Sequence, residues 1–318
     1  MKVTEHIAQA KGETLFSLEV LPPKKGEKIS NLFGAIEPLL EYKPAFIDVT
    51  YHREEYVSRV LENGKIAEQK TRKRPGTVGI CAAIMNKFGI DAVPHIICGG
   101  FSKDDTENAL IDLGFLGIDN VLALQGDALK TETDFIPHQE GNKYASDLIE
   151  QIQNLNEGKY LDDDLGNSSS SDFCIGVAGY PEKHFAATTM EDDMKWLKHK
   201  VALGADYIVT QMFFDNKKYF DFVDLCRANG ITIPIIPGIK PLATKTHLIN
   251  LPKYFYLDMP QDLVKAVEAC KDNVAAKEVG VEWCVAQSKE LKAAGVPSLH
   301  YYTMSKSTLV QRIAKEVF

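Results

Sequence analysis

Read for the spacing of its apolar positions, the chain alternates short, nearly continuous hydrophobic runs with longer stretches of helical period. The runs cover 15–21, 46–50, 93–98, 121–125, 174–178, 207–212, 233–237 and 300–303. They are rich in Val, Ile, Phe and Tyr, and several lack the polar alternation of a half-exposed strand. A parallel strand covered on both faces reads this way. Helical spacing occupies, among others, 106–116, 190–203 and 263–291, the last long enough to break into two helices. Strands and helices taking turns predict a parallel α/β fold, and eight units favour a closed (β/α)8 barrel, a TIM barrel, over an open sheet. One barrel over 1–318 is expected, because no linker or internal repeat marks a second domain.

One helix yields to closer reading. Thr189 and Asp192 form a capping pair for the free N–H groups of a first turn. Met190, Met194, Leu197 and Val201 then recur at helical spacing and face the core, while Asp193, Trp196 and Lys200 share a neighbouring face. Gly204 is the expected stop. Two loops interrupt the alternation, 128–143 and 154–172. The second carries Asp162, Asp163, Asp164 and serines at 168–171, and is expected to be a mobile, low-complexity excursion.

Composition narrows the class. A 45% hydrophobic and 25% charged chain of 318 residues is ordinary for a globular protein. Its net charge of -8 argues against a nucleic-acid partner, since phosphate contacts need a basic surface. No run reaches the ~18 apolar residues of a membrane span. The polar opening lacks the pattern of a signal peptide, so a cytoplasmic location and no membrane partner are expected. The six cysteines form no CxxC pair and are read as free thiols.

In a barrel of this kind the working residues stand at the carboxyl ends of the strands. Glu19 lies in an apolar first strand, where desolvation raises a carboxyl pKa toward the range of a general acid. Thr50, Tyr51 and His52 end the second strand, His95 lies in the third, and Gln125, Gly126 and Asp127 end the fourth. Tyr180, Glu182 and His184 follow the fifth, Gln211 ends the sixth, and Tyr302 nears the end of the eighth. His95 reads equally as a satisfied core histidine; Asp127 could simply cap the next element, but its place at a strand end favours function; and Lys240 reads as a surface lysine rather than a Schiff-base amine. No GxGxxG, Walker loop, GxSxG, HExxH or Cys/His cluster is present, so a standard nucleotide cradle and a metal site are not expected.

Nine stretches in order, SLEVLPPK (17–24), FIDVTY (46–51), VPHIIC (93–98), LALQGD (122–127), YASDL (144–148), AGYPEKH (178–184), ADYIVTQMFFD (205–215), IPIIPGIKP (233–241) and HYYTM (300–304), resemble the 5,10-methylenetetrahydrofolate reductase family. The resemblance covers nearly the whole chain. It implies an FAD-containing barrel in which NADH or NADPH reduces the flavin and 5,10-methylenetetrahydrofolate then takes the hydride, leaving as 5-methyltetrahydrofolate. Glu19 matches the family's general acid and Asp127 the carboxylate near flavin and pterin. Thr50, Tyr51, His95, Gln125, Gly126, Asp127, Tyr144, Ala145, Tyr180, His184, Ala187, Asp193, Trp196, His199 and Lys200 match cofactor positions. Gln211, His247, Leu251, Tyr302 and Lys306 match folate positions, with Glu19 and Asp127. The chain departs from the family at Gln125, His199 and Lys306, each in place of a common arginine, and at Trp196, in place of a common asparagine. The resemblance further implies a homo-oligomer, and a short form without the regulatory domain of larger eukaryotic members. A flavin-free folate methyltransferase, a lyase using Lys240 and a non-catalytic binding barrel are the competing readings.

Overall fold

The computed structural model describes residues 1–318 except Lys130, Asp163, Asn167 and Ser305, and the side chain of Lys70. Its strands are β1 (Leu15–Val20), β2 (Phe46–Val49), β3 (Glu55–Val60), β4 (Ile66–Thr71), β5 (Asp91–Ile97), β6 (Asn120–Leu124), β7 (Cys174–Gly179), β8 (Tyr207–Thr210), β9 (Ile235–Ile236), β10 (Gly238–Ile239) and β11 (Ser298–Tyr302). Helices are α1 (Val3–Gln9), α2 (Ile29–Ile36), α3 (Thr77–Phe88), α4 (Lys103–Phe115), α5 (Ala145–Asn156), α6 (Met190–Ala202), α7 (Asn216–Ala228), α8 (His247–Phe255), α9 (Gln261–Glu268), α10 (Asn273–Ala293) and α11 (Ser307–Val317).

The sheet runs β10-β11-β1-β2-β5-β6-β7-β8-β9, and every pairing within it is parallel. Only Pro237 separates β9 from β10, so the two ends of that order are consecutive in the chain and the ring closes as an eight-unit TIM barrel. The expected seventh strand, 233–237, is therefore split. Pro237 has no N–H to give a ladder, while its carbonyl accepts from His300 N at 3.1 Å. On one side of the break the short strand pairs β8; on the other it pairs β11.

Alternation along the strands sorts the side chains. Leu18, Val20, Ile47, Val49, Val121 and Ile175 point outward into a core shared with Leu32 and Ile36 of α2, Ile84 of α3 and Leu110 of α4. The inward set begins with Phe46, Val93, Leu122, Cys174 and Tyr207, packed on Val3 of α1, which plugs the amino-terminal end. A third cluster joins Met212, Phe214, Leu242, Leu251, Leu263 and Val267. There α10 approaches so closely that a Cβ on Gly280 would stand 2.0 Å from the Leu242 carbonyl oxygen.

Thr189 Oγ1 accepts from Asp192 N at 3.1 Å, Met194 and Leu197 are buried, and Gly204 follows α6 at φ +110, as the helix reading required. The long helical stretch breaks into α9 and α10. All six cysteines are free, and all but the half-buried Cys270 are buried. The antiparallel hairpin β3–β4 has no counterpart in the sequence reading. Loop 154–172 starts later than expected, since α5 continues to Asn156; Asp163 and Asn167 lie outside the described residues. Its flanks are fixed, with Ser171 N donating to Leu155 O at 2.9 Å and Leu161 N to Glu107 at 2.8 Å. Among the described residues no helix is long and apolar enough to cross a membrane.

Candidate active site

The inward alternation of β1, β2, β5 and β11 places Ser17 and Glu19, Asp48, His95, and His300 and Tyr302 on the inner wall of the barrel. Register sets Glu19 opposite Asp48 on β2 and opposite Tyr302 on β11. The lower part of this layer is hydrogen-bonded: Ser17 Oγ meets Ser298 Oγ at 2.9 Å and His300 Nδ1 at 3.0 Å. The upper part is an open row, with His95 Nε2 at 3.5 Å from Asp48 Oδ2 and 3.7 Å from Glu19 Oε2.

Electrostatics in this row follow from burial. Desolvation pushes the Glu19 carboxyl from 4.5 to about 7; Asp48 adds to the rise, and His95 and Lys240 oppose it. Burial disfavours charge on His95, but the side-chain contact with Asp48 and the charges of Glu19 and Asp48 outweigh it and raise its pKa. Lys240 is not the surface residue its sequence context suggested. It is 9% exposed and follows β10, and burial lowers its pKa to about 8 against the opposing charge of Glu19.

Thr50 Oγ1 is 3.5 Å from Val20 O at the tip of β2. Tyr51 packs edge-on against Phe101 at 5.1 Å and accepts from Arg72 at 3.2 Å. Gln125 leaves β6 and donates to Lys143 O at 3.0 Å, tying strand end to loop end. Gly126 takes φ +86, and a Cβ there would stand 3.2 Å from Ile97 Cβ, so the turn that presents the exposed Asp127 depends on glycine. The loop 128–143 is clamped to the segment after β2 by Arg53, which bonds Glu132 at 2.9 and 3.3 Å. Two cavities, about 300 and 570 Å³, flank the mouth on this side and share Tyr51, Arg72, Phe101 and Asp105.

A second group gathers over β7 and α6. Tyr180 and His184 pack edge-on at 4.6 Å, His184 N donates to Asp193 at 2.8 Å, and Ala187 N closes a turn onto His184 O. Lys200 reaches back to donate to Ala178 O at 2.7 Å; burial lowers its pKa to about 8 although Asp193 opposes this. Trp196 is 57% exposed, with His199 beside it at 5.9 Å. Tyr144 and Ala145 start α5, where Asp147 caps Tyr144 N at 3.0 Å.

The folate-matched positions are less tightly grouped. Gln211 sits at the end of β8 and accepts from Met212 N at 2.9 Å, while Tyr302 donates to Thr210 O at 2.7 Å. His247 accepts from Ala243 N at 3.2 Å; burial, then the charge of Lys240, lowers its pKa. Leu251 is 5% exposed inside the third hydrophobic cluster, and Lys306 is exposed before α11. Glu182 stands apart from the row. Its carboxyl, pushed by burial to about 7, accepts from Asp258 N at 2.8 Å and so ties the β7 loop to the segment after α8.

Asp48 was missed. It is fully buried, and neither carboxylate oxygen has a hydrogen-bond partner among the described residues. The signal was a carboxylate inside the apolar run FIDV, the same signal that marked Glu19.

Ionisable groups held out of water at the carboxyl end of a parallel barrel, with an open mouth above them, are the arrangement expected of a candidate active site in this fold. The chain belongs to the methylenetetrahydrofolate reductase family, whose profile matches residues 2–317. It is 33% identical to Methylenetetrahydrofolate reductase 1 of Schizosaccharomyces pombe, over 100% of this chain and 48% of that protein. With 5,10-methylenetetrahydrofolate reductase of Escherichia coli it shares 27% identity, over 96% of this chain and 92% of that one. The chain spans about half the length of several curated relatives, the fission-yeast protein among them. A Clostridium thermocellum protein described as binding two copies of 5-methyl-5,6,7,8-tetrahydrofolic acid has the same fold. Its TM-score is 0.61 over 99% of this chain and 98% of that one, at 15% identity.

Proposed function

We propose that this chain reduces 5,10-methylenetetrahydrofolate to 5-methyltetrahydrofolate with NADH or NADPH, the two substrates using one site in turn. The observation that carries this reading is Glu19, a carboxyl pushed to about 7 by burial at the mouth of the barrel. Opening the five-membered ring of the folate needs a proton delivered to the departing nitrogen, and a carboxylic acid still protonated near neutral pH can supply it.

The residues at the mouth suit FAD. The Gly126 turn, which a side chain would crowd against Ile97, brings bare backbone to the rim. Lys200 offers a cation for a diphosphate, and the exposed ring of Trp196 offers a platform for an adenine in place of the family's common asparagine. When bound, the flavin supplies hydride transfer between the nicotinamide and the folate. Asp127 and Gln211 stand at the rim to hydrogen-bond a pterin, and the exposed cation of Lys306 suits the carboxylates of a folate tail. Lys306 provides charge without the bidentate geometry of arginine. Family membership favours this reading over the flavin-free methyltransferase and the lysine-dependent lyase. A cytoplasmic homo-oligomer remains part of the proposal.

The test is anaerobic half-reaction kinetics of FAD-loaded protein. Glu19→Gln is expected to accept hydride from the nicotinamide and to fail at reduction of the folate. Normal folate reduction by that variant would remove Glu19 from its role.

A further inference from the structure

Glu19, Asp48 and His95 stand on three adjacent strands, β1, β2 and β5. One imidazole lies between two carboxyl groups, 3.5 Å from Asp48 and 3.7 Å from Glu19. Asp48 is fully buried, whereas the Glu19 side chain keeps 13% of its exposure. In a poorly solvated interior two carboxylates cannot both be balanced by one imidazolium, so one of them keeps its proton. Asp48 is the nearer of the two to the imidazole, and its side-chain contact does most to raise the His95 pKa, so Asp48 holds the positive charge of His95. Glu19, at the mouth, is left as the carboxyl that stays protonated.

We propose that Asp48 is a positioning residue that fixes the proton on Glu19, by engaging the charge of His95 that would otherwise stabilise ionised Glu19. This rests on the reading of Glu19 as proton donor. The surrounding groups leave the assignment intact. His300, facing Asp48 and His95 from β11, and His52, facing His95, both have pKa values lowered chiefly by burial and are neutral. Tyr207, Tyr302 and the Cys81 thiol face Asp48 and are held neutral by burial. Lys240 faces Glu19 but not the Asp48–His95 contact, so its influence is common to the wild type and to Asp48 variants.

The two neighbours of Glu19 are expected to act with opposite sign. In Asp48→Asn, Glu19 becomes the carboxylate partner of His95 and loses the repulsion of Asp48, so it ionises at lower pH. In His95→Gln the cation is gone and Glu19 ionises at higher pH.

The experiment is an infrared titration of the carboxylic-acid carbonyl band in the full chain without added FAD, with Glu19→Gln to assign the band. The wild-type band is expected to titrate near pH 7, to move down by about one pH unit or more in Asp48→Asn, and to move up in His95→Gln. In FAD-loaded Asp48→Asn, the alkaline limb of folate reduction is expected to move down by the same amount, with nicotinamide oxidation holding its wild-type pH profile. A band unmoved or raised in Asp48→Asn, or lowered in His95→Gln, overturns the proposal alone. A wild-type protein with no such band overturns the donor reading and this proposal with it.

Discussion

Replacing Glu19 with glutamine is expected to make the protein more stable at alkaline pH while removing its proton donor. The carboxyl is 13% exposed, and burial lifts its pKa in the folded chain from the ordinary 4.5 to about 7. Between those two pH values the folded state holds a proton that the unfolded state has released, so stability falls as pH rises. The loss is complete once pH passes the folded value. At about 1.4 kcal/mol per pKa unit, ionised Glu19 costs the folded state about 3 kcal/mol. Glutamine fills the same space and never ionises. Urea unfolding of wild type and Glu19→Gln at pH 4, 5, 6, 7 and 8 gives the test. The difference between the two proteins is expected to grow in favour of the variant from pH 5 to 7 and then level off, with a total span of about 3 kcal/mol. A difference that stays constant over that range would refute the desolvation argument, and with it the claim that Glu19 is a neutral acid near pH 7.

Two further outcomes follow from the mouth. Asp127→Asn is expected to slow folate reduction about tenfold or more while the FAD dissociation constant stays within about twofold, measured by single-turnover kinetics and flavin fluorescence; unchanged folate kinetics would count against a pterin contact. Lys200→Gln is expected to weaken FAD about ten- to hundredfold. Because burial holds Lys200 at about 8, wild-type FAD affinity is expected to fall as pH rises through 8, and the variant to lose that dependence, in a fluorescence titration from pH 7 to 9.

The barrel was legible because eight short apolar runs alternate with stretches of helical period, of which 106–116, 190–203 and 263–291 stand out. The hairpin β3–β4 was not, because Val60 and Ile66 are 74% and 73% exposed and its residues follow no buried face. The split at Pro237 was hidden because 233–237 reads as one apolar run, and only the closure of the ring shows that each half pairs a different neighbour. In the site, Glu19 could be read from the cost of a carboxylate among Phe16, Leu18 and Val20. The same reasoning applies to Asp48 among Phe46, Ile47 and Val49, where nothing in the local sequence says that the carboxylate meets an imidazole from β5. Lys240 was misjudged for a related reason. A lysine after PGI looks exposed until the barrel closes and turns it inward.

On the proposed function a nicotinamide cofactor and a folate exchange hydride through a flavin held at this mouth, with Glu19 giving the proton. The most direct measurement is the visible spectrum of anaerobic FAD-loaded protein, first with NADH or NADPH and then with 5,10-methylenetetrahydrofolate, for wild type and Glu19→Gln in parallel. This exchange requires the flavin absorbance to bleach in both proteins, and to return with folate in the wild type alone. A wild-type chain that fails to take up FAD, or one whose bleached flavin is not reoxidised by the folate, would contradict it.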